Sequence, residues 1–312
     1  MADARFCVGF SKACKQAREG GGLPESQVTS RGLCLRPFLP PDIIRLIDAL
    51  VRRLEHEDTL LAMNGGVLGA TLCEAAKAGG LRDVRFLLQR GAALERTSVR
   101  LNKHGKKLRW PALTWSAVGG HLEVVAELLA RGAGNRDRAL RSTAFQGHTP
   151  VMRLLLDGGA DVHSQQDSAL CSASQEGRTE TVALLLDRGA DIHALENKPL
   201  RLAAKNGRLE TVRLLLDRGA DLHADNDMTL VFAAGSGELE VTAFLLDRGA
   251  DMHALNGRAL HFTALRGQLE AVRLLLDRGA DIHAGNDFAL RVAREEGHEN
   301  VIALLLERGA VG

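Results

Sequence analysis

The stretch that decides the fold is LLLDRGADIHA, which stands complete at 184–194 and again at 274–284. Close variants are LLLDRGADLHA at 214–224, FLLDRGADMHA at 244–254 and LLLDGGADVH at 154–163, with an eroded LLLERGA at 304–310. From 154 onward the copies fall 30 residues apart, so that Asp161, Asp191, Asp221, Asp251 and Asp281 occupy equivalent places. Self-similarity at a fixed period of about 20–50 residues marks a solenoid, because one such unit cannot bury its apolar faces without neighbours.

Residues 199–224, PLRLAAKNGRLETVRLLLDRGADLHA, show what one unit builds. Pro199 lacks an N–H and has a preset φ, which suits the start of a helix. Leu200, Ala203 and Ala204 line one face of that short helix, and Gly207 breaks it. Leu209 opens a second helix with Glu210 in its first turn, where the helix dipole favours a carboxylate. Val212, Leu215 and Leu216 form its apolar stripe, and Gly219 follows the last turn, where a left-handed cap is wanted. Asp221 to Asn226 are expected to run as an extended loop towards the next unit.

These residues resemble the ankyrin repeat. KPLRLAA at 198–204 and RALHFTA at 258–264 echo the family pattern T-P-L-H-x-A. GHLEVV at 120–125 matches its inter-helix segment, and the recurrent GAD-x-H-A matches the start of its loop. The chain departs from the pattern twice. Its period is three residues shorter than the usual length of about 33, and His replaces the customary Asn at 163, 193, 223, 253 and 283. The short form is similar to ankyrin arrays of large DNA viruses of amoebae. The resemblance implies an all-α solenoid that binds proteins on its concave face and finger loops. It implies a scaffold, not an enzyme.

The array is expected to span 67–312 in eight repeats. The first begins at Leu72, and its loop carries Ala93 and Glu95 where Asp and His recur later. Leu72 and Leu113 stand 41 residues apart, which requires an insertion, and Leu140 follows only 27 residues later. The last five units start at Leu170, Leu200, Leu230, Leu260 and Leu290, and the last carries a polar run from Arg294 to Asn300 suited to a terminal cap. Ahead of the array, residues 1–39 read as a tail around Gly20-Gly21-Gly22, too polar to bury much. It lacks the apolar core of a secretory signal. Residues 40–66 change character, with Ile43, Ile44, Ile47, Leu50, Val51 and Leu54 at helical spacing, ended by Asn64-Gly65-Gly66. This segment is expected to cap the first repeat. Its opening, LPPDIIRLI, also resembles the start of an F-box, which would make the chain a substrate adaptor of a ubiquitin ligase.

Composition narrows the function classes. The 312 residues carry a net charge of +1, 45% hydrophobic and 25% charged residues, nine Phe, two Trp and no Tyr. That balance suits a soluble intracellular protein, cytoplasmic or nuclear, with a core of Leu, Ala and Val. No apolar run approaches the roughly 18 residues of a membrane span. Cys7, Cys14, Cys34, Cys73 and Cys171 are odd in number and form no C-x-x-C pair, which favours a reducing compartment. No nucleophile motif, phosphate loop or dinucleotide fingerprint occurs. The five His and five Asp form ladders of one residue per repeat, whereas a metal needs convergent ligands and acid–base catalysis needs two groups at one atom. No catalytic residue, metal or cofactor is therefore assigned. The insertion at 96–109 is basic, with Arg96, Arg100, Lys103, Lys106, Lys107 and Arg109 ahead of Trp110. It reads as a solvated finger, and phosphate or RNA binding there is the weaker alternative.

Variation between repeats points to the binding surface. The second helices are near copies, while the loops and first helices differ. The partner-facing candidates in the loops are Gln165, Gln166, Asp167, Glu196, Asn197, Asp225, Asn226, Asp227, Asn256, Asn286 and Asp287. On the first helices they are Arg201, Lys205, His261, Arg266 and Arg291. The loops hold five acids, Asp167, Glu196, Asp225, Asp227 and Asp287, against Lys198 and Arg258. Acidic tips should repel a nucleic-acid backbone and favour a protein partner, with the chain itself a monomer.

Overall fold

The structure, a computed structural model, describes residues 65–101 and 107–311. The expected tail at 1–39 and the expected cap or F-box-like segment, up to residue 64, lie outside the described residues. Gly65 and Gly66, read above as the end of that segment, instead open the first helix of the array.

The described residues form sixteen helices in eight pairs. The first member of each pair is α1 (Gly65–Ala78), α3 (Ala112–Val118), α5 (Arg136–Ala144), α7 (Ser164–Gln175), α9 (Ala194–Lys205), α11 (Ala224–Gly235), α13 (Ala254–Leu265) or α15 (Ala284–Glu295). The second member is α2 (Leu81–Gln89), α4 (Leu122–Ala130), α6 (Thr149–Asp157), α8 (Thr179–Asp187), α10 (Leu209–Asp217), α12 (Leu239–Asp247), α14 (Leu269–Asp277) or α16 (Glu299–Glu307). First helices pack on the first helices of adjacent repeats, and second helices on second helices.

Two leucine ladders run through the interface between these layers. Leu170, Leu200, Leu230, Leu260 and Leu290 come from the first helices, and Leu185, Leu215, Leu245, Leu275 and Leu305 from the second. All ten are at most 1% exposed. Each such side chain contributes about 1.5–3 kcal/mol by leaving water. The small residues Ala203, Ala233 and Ala293, fully buried, let neighbouring helices approach. Gly219 takes φ 95° after α10, and Ala220 N–H then reaches the Leu215 carbonyl at 2.9 Å, so the expected left-handed cap is present.

A further device closes the helix ends between repeats. The side chain just ahead of a second helix bonds a carbonyl at the end of the preceding repeat's first helix. His121 Nε2 reaches Lys77 O at 2.9 Å and His148 Nε2 reaches Val118 O at 3.1 Å. Arg208 Nε donates to Gln175 O at 3.2 Å, and His298 Nε2 reaches Leu265 O at 3.0 Å. The last carbonyls of a helix lack intrahelical partners, so these repeats cap the ones before them.

The connection between repeats differs from expectation. Residues 221–226 do not extend. In each of the last five repeats three consecutive residues adopt left-handed φ, for example Leu195 (50°), Glu196 (57°) and Asn197 (55°). They make one turn of left-handed helix, closed by Asn197 N–H on the His193 carbonyl at 3.1 Å. This compact turn replaces a projecting finger, and it accounts for the shortened period. Among the described residues strands occur only in the insertion, where β1 (Thr97–Leu101) pairs antiparallel with β2 (Lys107–Pro111). Trp110 anchors its base, with the rings of Trp110 and Trp115 4.6 Å apart.

Candidate protein-binding surface

Four of the five left-handed turns are held by one bracing residue at the end, and the fifth ends in Gly257, which has no side chain to do so. Asp167, Asn197 and Asp227 are 4–5% exposed. Asp227 Oδ1 accepts the N–H of Asp251 at 3.0 Å and the Nδ1–H of His223 at 3.1 Å. Asn197 does the same for Asp221 N–H (3.1 Å) and His193 (3.1 Å), and Asp167 for Asp191 N–H (2.9 Å) and His163 (3.2 Å). Asp287, half-buried, serves Val311 N–H (3.1 Å) and His283 (3.0 Å). The Asp two residues before each His accepts that His's N–H, at 2.9 Å for Asp221 with His223. The His and Asp ladders are thus joints between repeats. Asp167, Asn197 and Asp227, placed above among the partner-facing residues, are instead committed inside the array. Their burial had no signal in composition, since Asp and Asn are also common exposed turn residues.

The tips carry Gln165, Gln166, Leu195, Glu196, Asp225, Asn226, Leu255, Asn256 and Asn286, all exposed. Two tips bond the first-helix residue 24 positions earlier. Arg141 hydrogen-bonds Gln165. Arg201 pairs with Asp225 at 2.8 Å. Cys171 and Val231, at the same offset from Leu195 and Leu255 in the sequence, are both buried. His261 stands under Gly285 and bonds the neighbouring Ala284 carbonyl at 3.1 Å. Lys205 and Arg266 are exposed, with Arg266 lying 5.2 Å over the Phe262 ring.

Two residues sharpen the picture. Phe288 is 40% exposed, with His261 edge-on at 4.9 Å and the Arg291 guanidinium 5.1 Å over its ring. The loop reading stopped at Asp287 and missed Phe288, although the equivalent places hold Ser168, Lys198, Met228 and Arg258, so an aromatic there was visible as an outlier. Burial, helped by the Arg291 charge and opposed by the Ala284 bond, holds the His261 imidazole below its ordinary pKa. Burial likewise pushes the thiols of Cys73 and Cys171 up, away from the reactive thiolate form.

The opposite, second-helix layer is uniform. Arg188, Arg218, Arg248, Arg278 and Arg308 each pair with the Asp of the preceding repeat, at 2.7–3.3 Å. Among the described residues no helix is long and apolar enough to cross a membrane.

Eight stacked helix–turn–helix units, each completing its neighbour, define a helical-repeat solenoid. The family model for ankyrin repeats matches residues 72–166, 113–196, 140–226, 170–256 and 230–311, and the chain belongs to the ankyrin repeat family. No curated protein matches the sequence. Ankyrin repeats are protein–protein interaction modules.

Proposed function

We propose that this chain is a scaffold that holds a partner protein across its turn tips and first-helix face. One observation carries the reading: repeats copied nearly residue for residue in their second helices differ at their exposed tips, through Gln165, Leu195, Asp225, Leu255 and Gly285. Copied positions serve packing and the Arg–Asp ladder, whereas the tips vary without disturbing either. Complementary charge at such a surface acts mainly on specificity and association rate. The test is affinity capture from cells with identification by mass spectrometry, followed by binding of the purified partner. Glu196→Lys with Asp225→Lys should weaken that binding at least tenfold, while Glu240→Lys on α12 leaves it unchanged. The reverse pattern would move the partner to the second-helix layer and sink this assignment.

A second reading rests on LPPDIIRLI at 39–47, which would dock a ubiquitin ligase adaptor while the array holds the substrate. Stable co-purification of such an adaptor, abolished by Ile43→Asp with Ile47→Asp, is its expected signature. Its absence leaves the scaffold without that role.

A further inference from the structure

We propose that the eighth repeat opens from the array as a unit, at its turn edge, because the joint between the seventh and eighth repeats lacks the brace that every other described junction from the second repeat onward carries. The brace is a side chain that accepts the backbone N–H at the entry to the following repeat. Glu95 accepts Gly134 N–H at 2.7 Å, and Asp137 accepts Asp161 N–H at 2.8 Å. Asp167, Asn197 and Asp227 accept the N–H of Asp191, Asp221 and Asp251 at 2.9–3.1 Å. Next in the series stand Gly257 and Asp281. Gly257 has no side chain to offer, and among the described residues neither Asp281 N–H nor His253 Nδ1 has a hydrogen-bond partner.

The missing side chain changes the contact. A Cβ on Gly257 would stand 2.8 Å from the Ala284 Cβ, closer than two such atoms approach. The equivalent pairs, Asp167 with Ala194, Asn197 with Ala224 and Asp227 with Ala254, carry both side chains, so those junctions are wider at this point. The last turn has settled onto the Gly257 backbone where the others hold a brace.

The two edges of the junction are held unequally. On the second-helix side Arg308 pairs with Asp277 at 2.8 Å, and Leu275 and Leu305 are fully buried. At the turn edge one hydrogen bond across the junction remains among the described residues, from His261 Nε2 to the Ala284 carbonyl at 3.1 Å. Its counterpart adds to a brace and does not replace one: Arg201 pairs with Asp225 across the junction that Asn197 already closes. Opening therefore starts at the turn edge and shifts Gly285-Asn286 against Leu255-Asn256, while α16 stays on α14. Repeat arrays open in contiguous units, and a joint short of two bonds sets where this one does so.

NMR-detected hydrogen exchange on the full chain tests the opening, since exchange reads such events over minutes to hours. Gly257→Asn supplies an acceptor that tolerates left-handed φ, and Ala284→Gly makes room for its Cβ. Relative to Ala284→Gly alone, the double variant should slow exchange in α15 and α16 about fivefold, the net worth of one hydrogen bond. It should also protect the Asp281 amide, which separates a formed brace from a stiffer turn. Asp227→Gly removes the brace one junction earlier and leaves the backbone free to keep its turn. Exchange in α13 and α14 should then rise about fivefold, while α7 to α10 keep their rates. A protected Asp281 amide with unchanged exchange in α15 and α16 would overturn the proposal, because the brace would form without closing anything. So would an Asp227→Gly variant that exchanges like the parent, or a rise spread evenly over every repeat. Should Gly257→Asn leave Asp281 unprotected, Asp227→Gly decides alone.

Discussion

At the scale of the residue, the sharpest division in this chain lies within single turns. In Asp225-Asn226-Asp227 all three residues share left-handed φ, yet Asp225 and Asn226 face solvent and Asp227 is buried as the joint to the next repeat. Asp227→Ala removes the acceptor for both Asp251 N–H and His223 Nδ1–H. Both donors belong to exposed residues that can turn to water, so the loss is the net worth of the two bonds, about 0.5–1.5 kcal/mol each, and the melting temperature should fall accordingly. Asp227→Asn should hold most of the stability, because Asn197 fills the equivalent role. Leu195 gives the opposite sign. It is 40% exposed in a left-handed conformation that Asn adopts more readily. Leu195→Asn should raise stability by up to about 1 kcal/mol, measured by denaturant titration, and a loss would show that Leu195 packs more than its exposure suggests. His261 sets a pH dependence. Its folded pKa lies below the unfolded value of about 6.5, so the unfolded chain binds the proton more tightly. Stability is complete above that value and falls as the pH drops below it. Between pH 7 and 5 the parent should therefore lose more melting temperature than His261→Gln, and equal losses would clear His261 of the effect.

At the scale of the element, the insertion joins a basic stretch of sequence to a packed base. Val99 is exposed and paired in register with Arg109, whereas Trp110 stacks against buried Trp115. Replacing Lys103, Lys106, Lys107 and Arg109 with Gln should change stability by less than about 0.5 kcal/mol each. Trp110→Ala should cost at least about 1 kcal/mol, since aromatic pairs are worth about 0.5–1.5 kcal/mol beyond their burial. If the parent chain bound heparin and the charge variant did not, the insertion would be a polyanion site; a large drop in the variant's melting temperature would mean the strands need those side chains. The helices themselves were legible in the sequence because Leu200, Ala203 and Ala204, and then Val212, Leu215 and Leu216, stand at helical spacing, and glycines such as Gly219 mark the ends. The connections were not. Three left-handed residues in a row leave no apolar period to read, and Leu195 or Glu196 carry no preference for that conformation. The tips were legible as variable positions, but which turn acid is buried depends on a backbone N–H 24 residues later, a distance at which local reading has no purchase. The Arg–Asp ladder was likewise hidden, because each pair joins residues 31 apart.

At the scale of the whole array, every repeat touches only its neighbours, so stability is the sum of repeat and interface contributions rather than a property of one core. The inter-repeat bonds make that coupling concrete: the Arg208 side chain closes the end of α7, Asn197 braces the start of the next turn at Asp221, and Arg218 reaches back to Asp187 at 2.8 Å. An interior repeat has two such interfaces, and the last described repeat has one. Leu305 and Leu215 occupy equivalent places and are equally buried, so the same Leu→Ala change isolates position in the array from chemistry. Each truncation should cost about 2–5 kcal/mol locally. In Leu305→Ala that cost falls on one interface, and hydrogen exchange should lose protection across α15 and α16 while α7 to α12 keep theirs. In Leu215→Ala it falls on two, and protection should drop in α9 to α12 together, with unfolding broadened into two transitions as the flanking blocks uncouple. Loss of protection spread evenly over all repeats in both variants would instead show a single cooperative block. The His–Asp and Arg–Asp joints would then couple the repeats more strongly than a nearest-neighbour sum allows.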